Sequence, residues 1–362
     1  MRIGTFLVAF ALLTTTNVAQ VHTGAAQPAP STVAPSAPTP KLNKTEISTP
    51  LPIAKSLADA RPPELPKKLV ASAVTPLQVP VFSSYGETLC DADGNMFFHV
   101  AAGSYGSSPI LKISPDGQKS KTYTLSSGNN NQPSFISFNV TPSGTVRELA
   151  ELKSDVVVLE FDSDGQSVSQ TTLDIPDHVN PQEFAGFENG EIVFYGYYNK
   201  DARDNLRGHR YVAVLAPSGK LVREISDTEH LDLDQFASRL QSGAATLGAD
   251  GNVYLLRSHD ILVISQSGEV VRRLPFDKNL IDAVPTKIMY SGGLLAVVLS
   301  KNAEPFLLRR YIILDSMSGE QRGFYEPSEE TGSNDVCFSR KEGLEFLHNE
   351  RDRLSLISSE LK

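Results

Sequence analysis

The chain is predicted to fold as an all-β, six-bladed β-propeller built from four-stranded antiparallel blades, with an N-terminal strand closing the ring by completing the last blade. Three observations predict it. A phrase at Cys90-Asp91-Ala92-Asp93-Gly94-Asn95-Met96-Phe97 returns as Leu247-Gly248-Ala249-Asp250-Gly251-Asn252-Val253-Tyr254. A second phrase, an apolar residue leading into a polar Gly turn, ends at Gly117, Gly165, Gly219, Gly268 and Gly319, at intervals of 48, 54, 49 and 51 residues. The stretches between these turns are short, apolar and alternating, with Asp-Gly or Ser-Gly at their ends, which is the pattern of strands joined as hairpins. Self-similarity at a period near fifty, with strand–turn–strand content, points to radial repetition of one β unit.

Taken from the N-terminus, residues 1–19 read as a signal peptide: a basic start at Arg2, an apolar core Phe6–Leu13, then small polar residues, with cleavage after Ala19 or as late as Ala26. The apolar run is far shorter than the roughly 20 residues a bilayer span needs. Secretion, or delivery to a periplasm, without integral membrane association is therefore expected. Residues 20–66 are rich in Pro, Ala, Thr and Ser and read as a disordered leader, because too little apolar surface is available to offset chain ordering. The propeller domain is expected over 67–362.

Within that domain each repeat offers two hairpins, and the inner ones turn at Gly94, Gly144, Gly190, Gly251, Gly293 and Gly343. In the first repeat the strands are expected at Thr88–Asp91, Met96–Val100, Ile110–Ile113 and Lys121–Leu125. The third repeat carries a polar loop from Asn199 to Arg210. A capping pattern, Ser226-Asp227-Thr228-Glu229, precedes a predicted short helix over His230–Leu240. The sixth repeat holds only three strands, Val336–Phe338, Leu344–Leu347 and Leu354–Ile357. Its missing outer strand should come from Leu69–Val74 or Leu77–Phe82, with the second preferred, since a closed ring leaves only short protected edges.

The two cysteines, Cys90 and Cys337, fall in the innermost strands of the first and sixth repeats, which are neighbours in a closed ring. In an exported protein a Cys90–Cys337 bridge is one reading and two buried thiols the other; spacing does not decide between them.

The pattern around Ala249-Asp250-Gly251-Asn252-Val253-Tyr254 resembles the NHL family of six-bladed propellers over residues 67–362. The chain has no Trp, which separates it from WD, quinoprotein, sialidase and YWTD propellers. A more distant resemblance is to gluconolactonase-like propellers, which implies a divalent cation at the channel mouth held by a Glu just before the first inner strand. Glu87, seven positions before Gly94, stands near that place, and the equivalent positions are Ser137, Glu183 and Thr286. The family's Glu-Gly-Pro pattern is absent, because Thr88 and Leu89 follow Glu87.

Other chemistry is sparse. There is no nucleophile elbow, HExxH, P-loop or Rossmann glycine pattern. His99, His259 and His348 follow second strands and could share a face. Asn139 and Asp335 stand near strand starts, and Asn129-Asn130-Asn131-Gln132 forms an amide-rich connection. Asn43 and Asn139 begin glycosylation acceptor patterns. A formal charge of −9 gives no basic excess for nucleic acid. The leading expectation is a monomeric, non-enzymatic binding or scaffolding propeller without a cofactor, recognising a protein or polar ligand through one face. The candidate ligand-binding residues are Glu87, Ser137, Glu183, Thr286, His99 and Asn139. The alternative is a lactonase-like hydrolase using Ca²⁺ or another divalent cation, with Glu87 as metal ligand and Glu183 as the catalytic group.

Overall fold

Blades stacked face to face bury both faces of their middle strands, so those strands can be apolar throughout, while the outermost strand keeps one wet face. The chain follows this division. Ile192–Tyr198 (IVFYGYY) is buried at every position but the last, whereas Ser167–Thr172 (SVSQTT) has no fully buried residue. The computed structural model describes residues 65–77, 84–100, 109–124, 133–199, 201–229, 244–276, 283–303, 306–328, 331, 335–339, 343–350 and 353–362. All of these lie in one compact unit, Thr49–Lys362.

Six antiparallel four-stranded blades follow in order. From inner to outer strand, the first holds Ser84–Cys90, Met96–Val100, Ile110–Ile113 and Ser120–Tyr123. The second holds Ser134–Val140, Val146–Leu152, Asp155–Phe161 and Ser167–Thr172. The third has Val179–Gly186, Ile192–Tyr198, Arg210–Leu215 and Leu221–Ile225. The fourth has Ala245–Leu247, Val253–Leu256, Asp260–Ile264 and Val270–Pro275. In the fifth are Val284–Ser291, Leu294–Ala303, Phe306–Asp315 and Gln321–Glu326. The sixth takes Asp335–Ser339, Gly343–Glu350 and Arg353–Glu360 from the C-terminal end, and its outer strand, Ala71–Pro76, from the N-terminal end. Among the described residues there is no helix. The predicted His230–Leu240 helix and the Asn129–Gln132 connection lie outside them.

The outer-turn glycines explain the fifty-residue period. Gly165 and Gly219 sit at φ +80° and +78°, and a Cβ on either would strike the carbonyl oxygen of the preceding blade's outer strand, at Thr122 and Thr172. Each glycine's own carbonyl accepts a hydrogen bond from that blade, from Thr124 N at 3.0 Å and Asp174 N at 2.9 Å. The turn therefore needs glycine both for its left-handed backbone and for its closeness to the neighbour. Gly117 of the first blade packs in the same manner on Thr75 and Leu77 of the N-terminal segment.

Of the two N-terminal candidates, Leu69–Val74 overlaps the strand that pairs, Ala71–Pro76, and not the preferred Leu77–Phe82, of which only Leu77 is described. The cause lies just upstream. Lys67 and Lys68 add a short parallel pairing to Tyr325 and Glu326 of the fifth blade, and Leu69 is wholly buried there with its N–H on Glu326 O at 2.9 Å. With Leu69 anchored, the following residues fall alongside Ser355–Ser359. Gly343 is a second departure: it pairs with Ser339 inside the sheet rather than making the turn.

Candidate functional site

Three ionisable side chains meet, buried, on the propeller axis. Glu87 comes from the first blade, Glu183 from the third and Lys287 from the fifth, with exposures of 3%, 1% and 9%. Each lies in an inner strand at a break in register: between Tyr85 and Thr88, between Pro181 and Glu183, and between Pro285 and Lys287. The second blade has the same break between Phe135 and Ser137. A bulge leaves an extra residue unpaired and re-aims the side chains beside it. Its recurrence in four inner strands turns one position per blade toward the axis.

Each of the three groups holds the main chain of an adjacent blade. Glu87 Oε1 accepts from Phe138 N in the second blade at 3.0 Å. Glu183 Oε2 accepts from Ala244 N, at the start of the fourth, at 2.9 Å, and from the Tyr195 hydroxyl at 2.8 Å. Lys287 Nζ donates to Val336 O in the sixth at 2.7 Å and to Thr88 O in the first. Three side chains thus tie all six inner strands. The two carboxyl groups lie near enough to repel each other, which favours a proton on Glu87. Burial, then the Glu183 charge, push the Glu87 carboxyl well above its ordinary range, against the Phe138 N–H and the Lys287 ammonium. Burial brings Lys287 down to about 8, although Glu87, Asp335 and Glu183 favour its charge.

Behind Glu183 the Arg210 guanidinium lies 4.4 Å from the Tyr195 ring and donates to Leu256 O at 3.0 Å. Asp227, buried beside it, pairs with Arg257 at 3.0 Å, and Arg257 makes two bonds of 2.6 Å to Asp260. This buried charge chain fastens the third blade to the fourth. Cys90 and Cys337 are bonded, with Cα atoms 5.8 Å apart, in the inner strands of the first and sixth blades.

The candidates from the sequence separate clearly. Glu87, Ser137 and Glu183 share the axial position, and the Ser137 hydroxyl is buried without a hydrogen-bond partner among the described residues. Thr286 does not join them; it bonds Ser300 Oγ at 3.0 Å, and Lys287 takes its place. Counting back from glycine fails there because the turn differs. In the first three blades residues 91–95, 141–145 and 187–191 form the inner turn, whereas Ser291 pairs directly with Leu294 across Gly292 and Gly293. Asn139 accepts from Gly186 N at 3.0 Å, a tie between the second and third blades away from the axis, and its burial in a strand rules out use as a glycosylation acceptor. His99 is fully buried, its ring 3.8 Å from that of Phe135 and 5.2 Å from that of Phe138. His259 is exposed in a loop and His348 is half-buried, so the three histidines do not gather. Lys287, Tyr195 and Arg210 were not singled out from sequence. A lysine in a strand otherwise reading as core (Ile288, Met289) was the available signal.

A divalent cation does not fit this donor set. Glu87 Oε1 and Glu183 Oε2 are engaged by N–H and O–H donors, and the Lys287 ammonium already supplies the balancing positive charge. Among the described residues no group of three or more His, Cys, Asp or Glu has metal-binding geometry.

No family model matches the chain, and no curated protein matches it. Solved structures do resemble it. A luciferin-regenerating enzyme is 12% identical over 80% of this chain and 95% of its own, with a TM-score of 0.49. A gluconolactonase from Xanthomonas campestris is 14% identical over 80% and 98%, with a TM-score of 0.46. A PQQ-bound aldose sugar dehydrogenase from Streptomyces coelicolor is 13% identical over 79% and 98%, with a TM-score of 0.42. The likeness is one of fold. The NHL resemblance stays one of repeat pattern.

Proposed function

We propose that the chain is an exported, monomeric binding or scaffolding propeller that recognises a protein or polar ligand with the face on which its inner strands begin. One observation carries this reading: the axial ionisable groups hold the main chains of adjacent blades, so the channel centre serves as a fastener. Recognition then falls to the loops around that face, where the described 173–178 and 199–209 segments present Asp174, Asp177, His178, Asp201, Arg203 and Asp204 to solvent. Loops carried on a rigid scaffold are where binding residues concentrate. Export rests on the basic, apolar, polar order of the first residues.

The test is binding of the purified chain to glycan and peptide arrays. A ligand whose binding falls at least tenfold in Asp201→Lys/Asp204→Lys, and is kept in Asp164→Lys on the opposite face, supports the reading. Cation-dependent lactone hydrolysis abolished by Glu87→Gln would overturn it in favour of the hydrolase.

A further inference from the structure

We propose that a cleft between the fourth and fifth blades, on the face opposite the one assigned to recognition, is a second binding site and takes a neutral sugar ring. Its origin lies in one short turn. The inner turns of the first three blades touch in succession: Ala92 N donates to Pro142 O at 3.2 Å, and the Ser143 hydroxyl donates to Glu188 Oε2 at 2.8 Å. The fourth blade keeps the long turn, residues 248–252, but the fifth turns on Gly292 and Gly293 alone. A Cβ on either of these glycines, or on Gly251, would meet nothing within 4 Å. The space left is a cleft of about 560 Å³, within the roughly 300–1,000 Å³ usual for small-molecule sites.

The walls are set before a ligand arrives. Arg272 of the fourth blade donates to Met317 O of the fifth at 2.9 Å and reaches Asp250 at 3.5 Å, which bridges the two rims. The outer turn of the fifth blade is fixed by Ser316 N, which donates to Gly293 O at 2.9 Å, and by Asp315 Oδ1, which accepts from Met317 N and Ser318 N. Deeper in, the Tyr290 ring stacks on that of Tyr254, with centroids 5.7 Å apart, and the Tyr254 hydroxyl donates to Asp250 Oδ2 at 2.9 Å. An aromatic ring and a carboxylate are thereby held side by side, and little ordering is left for binding to supply.

The charges select the ligand. Asp315 faces Arg322 at 3.1 Å, Arg322 also faces Glu320 at 3.2 Å, and Asp250 faces Arg272. An anion or cation entering the cleft would displace one of these partners. A hydroxyl instead donates to a carboxylate and accepts from a guanidinium while the pair stays intact. Among the described residues Asp250 Oδ1 accepts from Asn252 N, and Asp315 Oδ2 from Arg322, so each oxygen keeps a lone pair for such a donor. A sugar ring carries hydroxyls around its edge and C–H groups on its faces. Its edge suits the two Asp and Arg322, and its faces suit Tyr290, Leu294 and Met317. None of the 173–178 or 199–209 residues borders the cleft, so the site stands apart from the binding reading above.

The test is saturation-transfer NMR of the purified chain with glucose, galactose, mannose and N-acetylglucosamine, free and as short oligosaccharides, beside glutamate, lysine and trialanine. At least one neutral saccharide is expected to bind with a Kd of about 1 mM or tighter. Gly292→Asn is the deciding variant. Asn tolerates the left-handed backbone at φ +57°, and Asn-Gly is a favoured hairpin turn, so the melting temperature should hold while the side chain occupies the cleft. Arg322→Leu removes an exposed guanidinium at little cost in stability. Each variant is expected to weaken saccharide binding about tenfold or more. A preference for the oligosaccharide would identify the end of a glycan and equal affinity a free sugar; either supports the site. No saccharide binding, tighter binding of glutamate, lysine or trialanine than of any sugar, or affinity unchanged in both variants would overturn it. So would a sugar lost only in Asp201→Lys/Asp204→Lys, which would belong to the other face.

Discussion

Lys287 Nζ lies 2.7 Å from Val336 O, so a lysine of the fifth blade holds the inner strand of the sixth while also donating to Thr88 O of the first. The contact sits beside the Cys90–Cys337 bond, one residue from Cys337 and two from Cys90. The junction of the first and last blades is therefore held at its inner edge by an ammonium and a disulfide together. Two carbonyls depend on one donor, and the donor on the carboxyls of Glu87, Asp335 and Glu183 for its counter-charge.

Lys287→Met keeps much of the volume but removes the donor and the charge. It leaves Thr88 O and Val336 O unpaired and the carboxyl pair unbalanced, a type of loss that costs about 3–5 kcal/mol. Thr286→Val, next to it but off the axis, should cost about 1 kcal/mol or less. Urea unfolding of both variants checks the contrast; equal effects would remove Lys287 from its axial role.

Glu148 is 2% exposed, and burial alone pushes its carboxyl up to about 8. The folded chain then holds this proton at pH 7 while the unfolded chain releases it, so the residue's contribution is intact below pH 4.5 and declines as pH rises to about 8. Between 4.5 and 7 the loss amounts to about 3 kcal/mol at about 1.4 kcal/mol per unit. Glu148→Gln should recover much of it at pH 7 and have little effect at pH 4.5. Melting temperatures at the two pH values test this, and a variant no more stable at pH 7 than wild type would refute it.

The periodic glycines made the architecture legible because one steric demand, a left-handed turn pressed on the preceding blade, recurs in successive blades. Glu87, Ser137 and Glu183 were reachable by counting back seven from an inner glycine because three blades share one turn length. Lys287 was hidden by the shorter Gly292–Gly293 turn, which moves the axial position one pair further from the turn. His99 and Asn139 looked functional because polar residues in a strand suggest a site. Packing gives each an ordinary use, His99 against two Phe rings and Asn139 on the Gly186 N–H. A ligand leaves no such trace, because loops that recognise it answer to the ligand's shape and not to the repeat.

The Cys90–Cys337 bond closes a segment with a sequence separation of 247. A cross-link over so long a loop restricts the unfolded chain strongly, with an upper value of about 5 kcal/mol. The Cys90→Ala/Cys337→Ala variant should therefore unfold at lower denaturant than the oxidised protein, by about 2–5 kcal/mol. Reductant should lower wild type toward the variant and leave the variant unmoved. A variant matching the oxidised protein would show that the remaining contacts hold the junction alone.

The N-terminal segment 65–77 gives the sharpest test of how the ring is held. Removing it deletes the outer strand of the sixth blade, the parallel pairing on Tyr325 and Glu326, and the surface against which Gly117 packs. It also exposes the third strand of the last blade along its length, an unpaired edge of the kind that recruits other chains. The deletion is expected to abolish a cooperative melt and to yield aggregates by light scattering. Leu69→Ala alone should cost about 2–4 kcal/mol, since Leu69 is fully buried between the two blades the segment joins. A deletion that melts cooperatively near the wild-type temperature would mean that the Cys90–Cys337 bond and Lys287 suffice, and that the outer strand is an accessory to the fold.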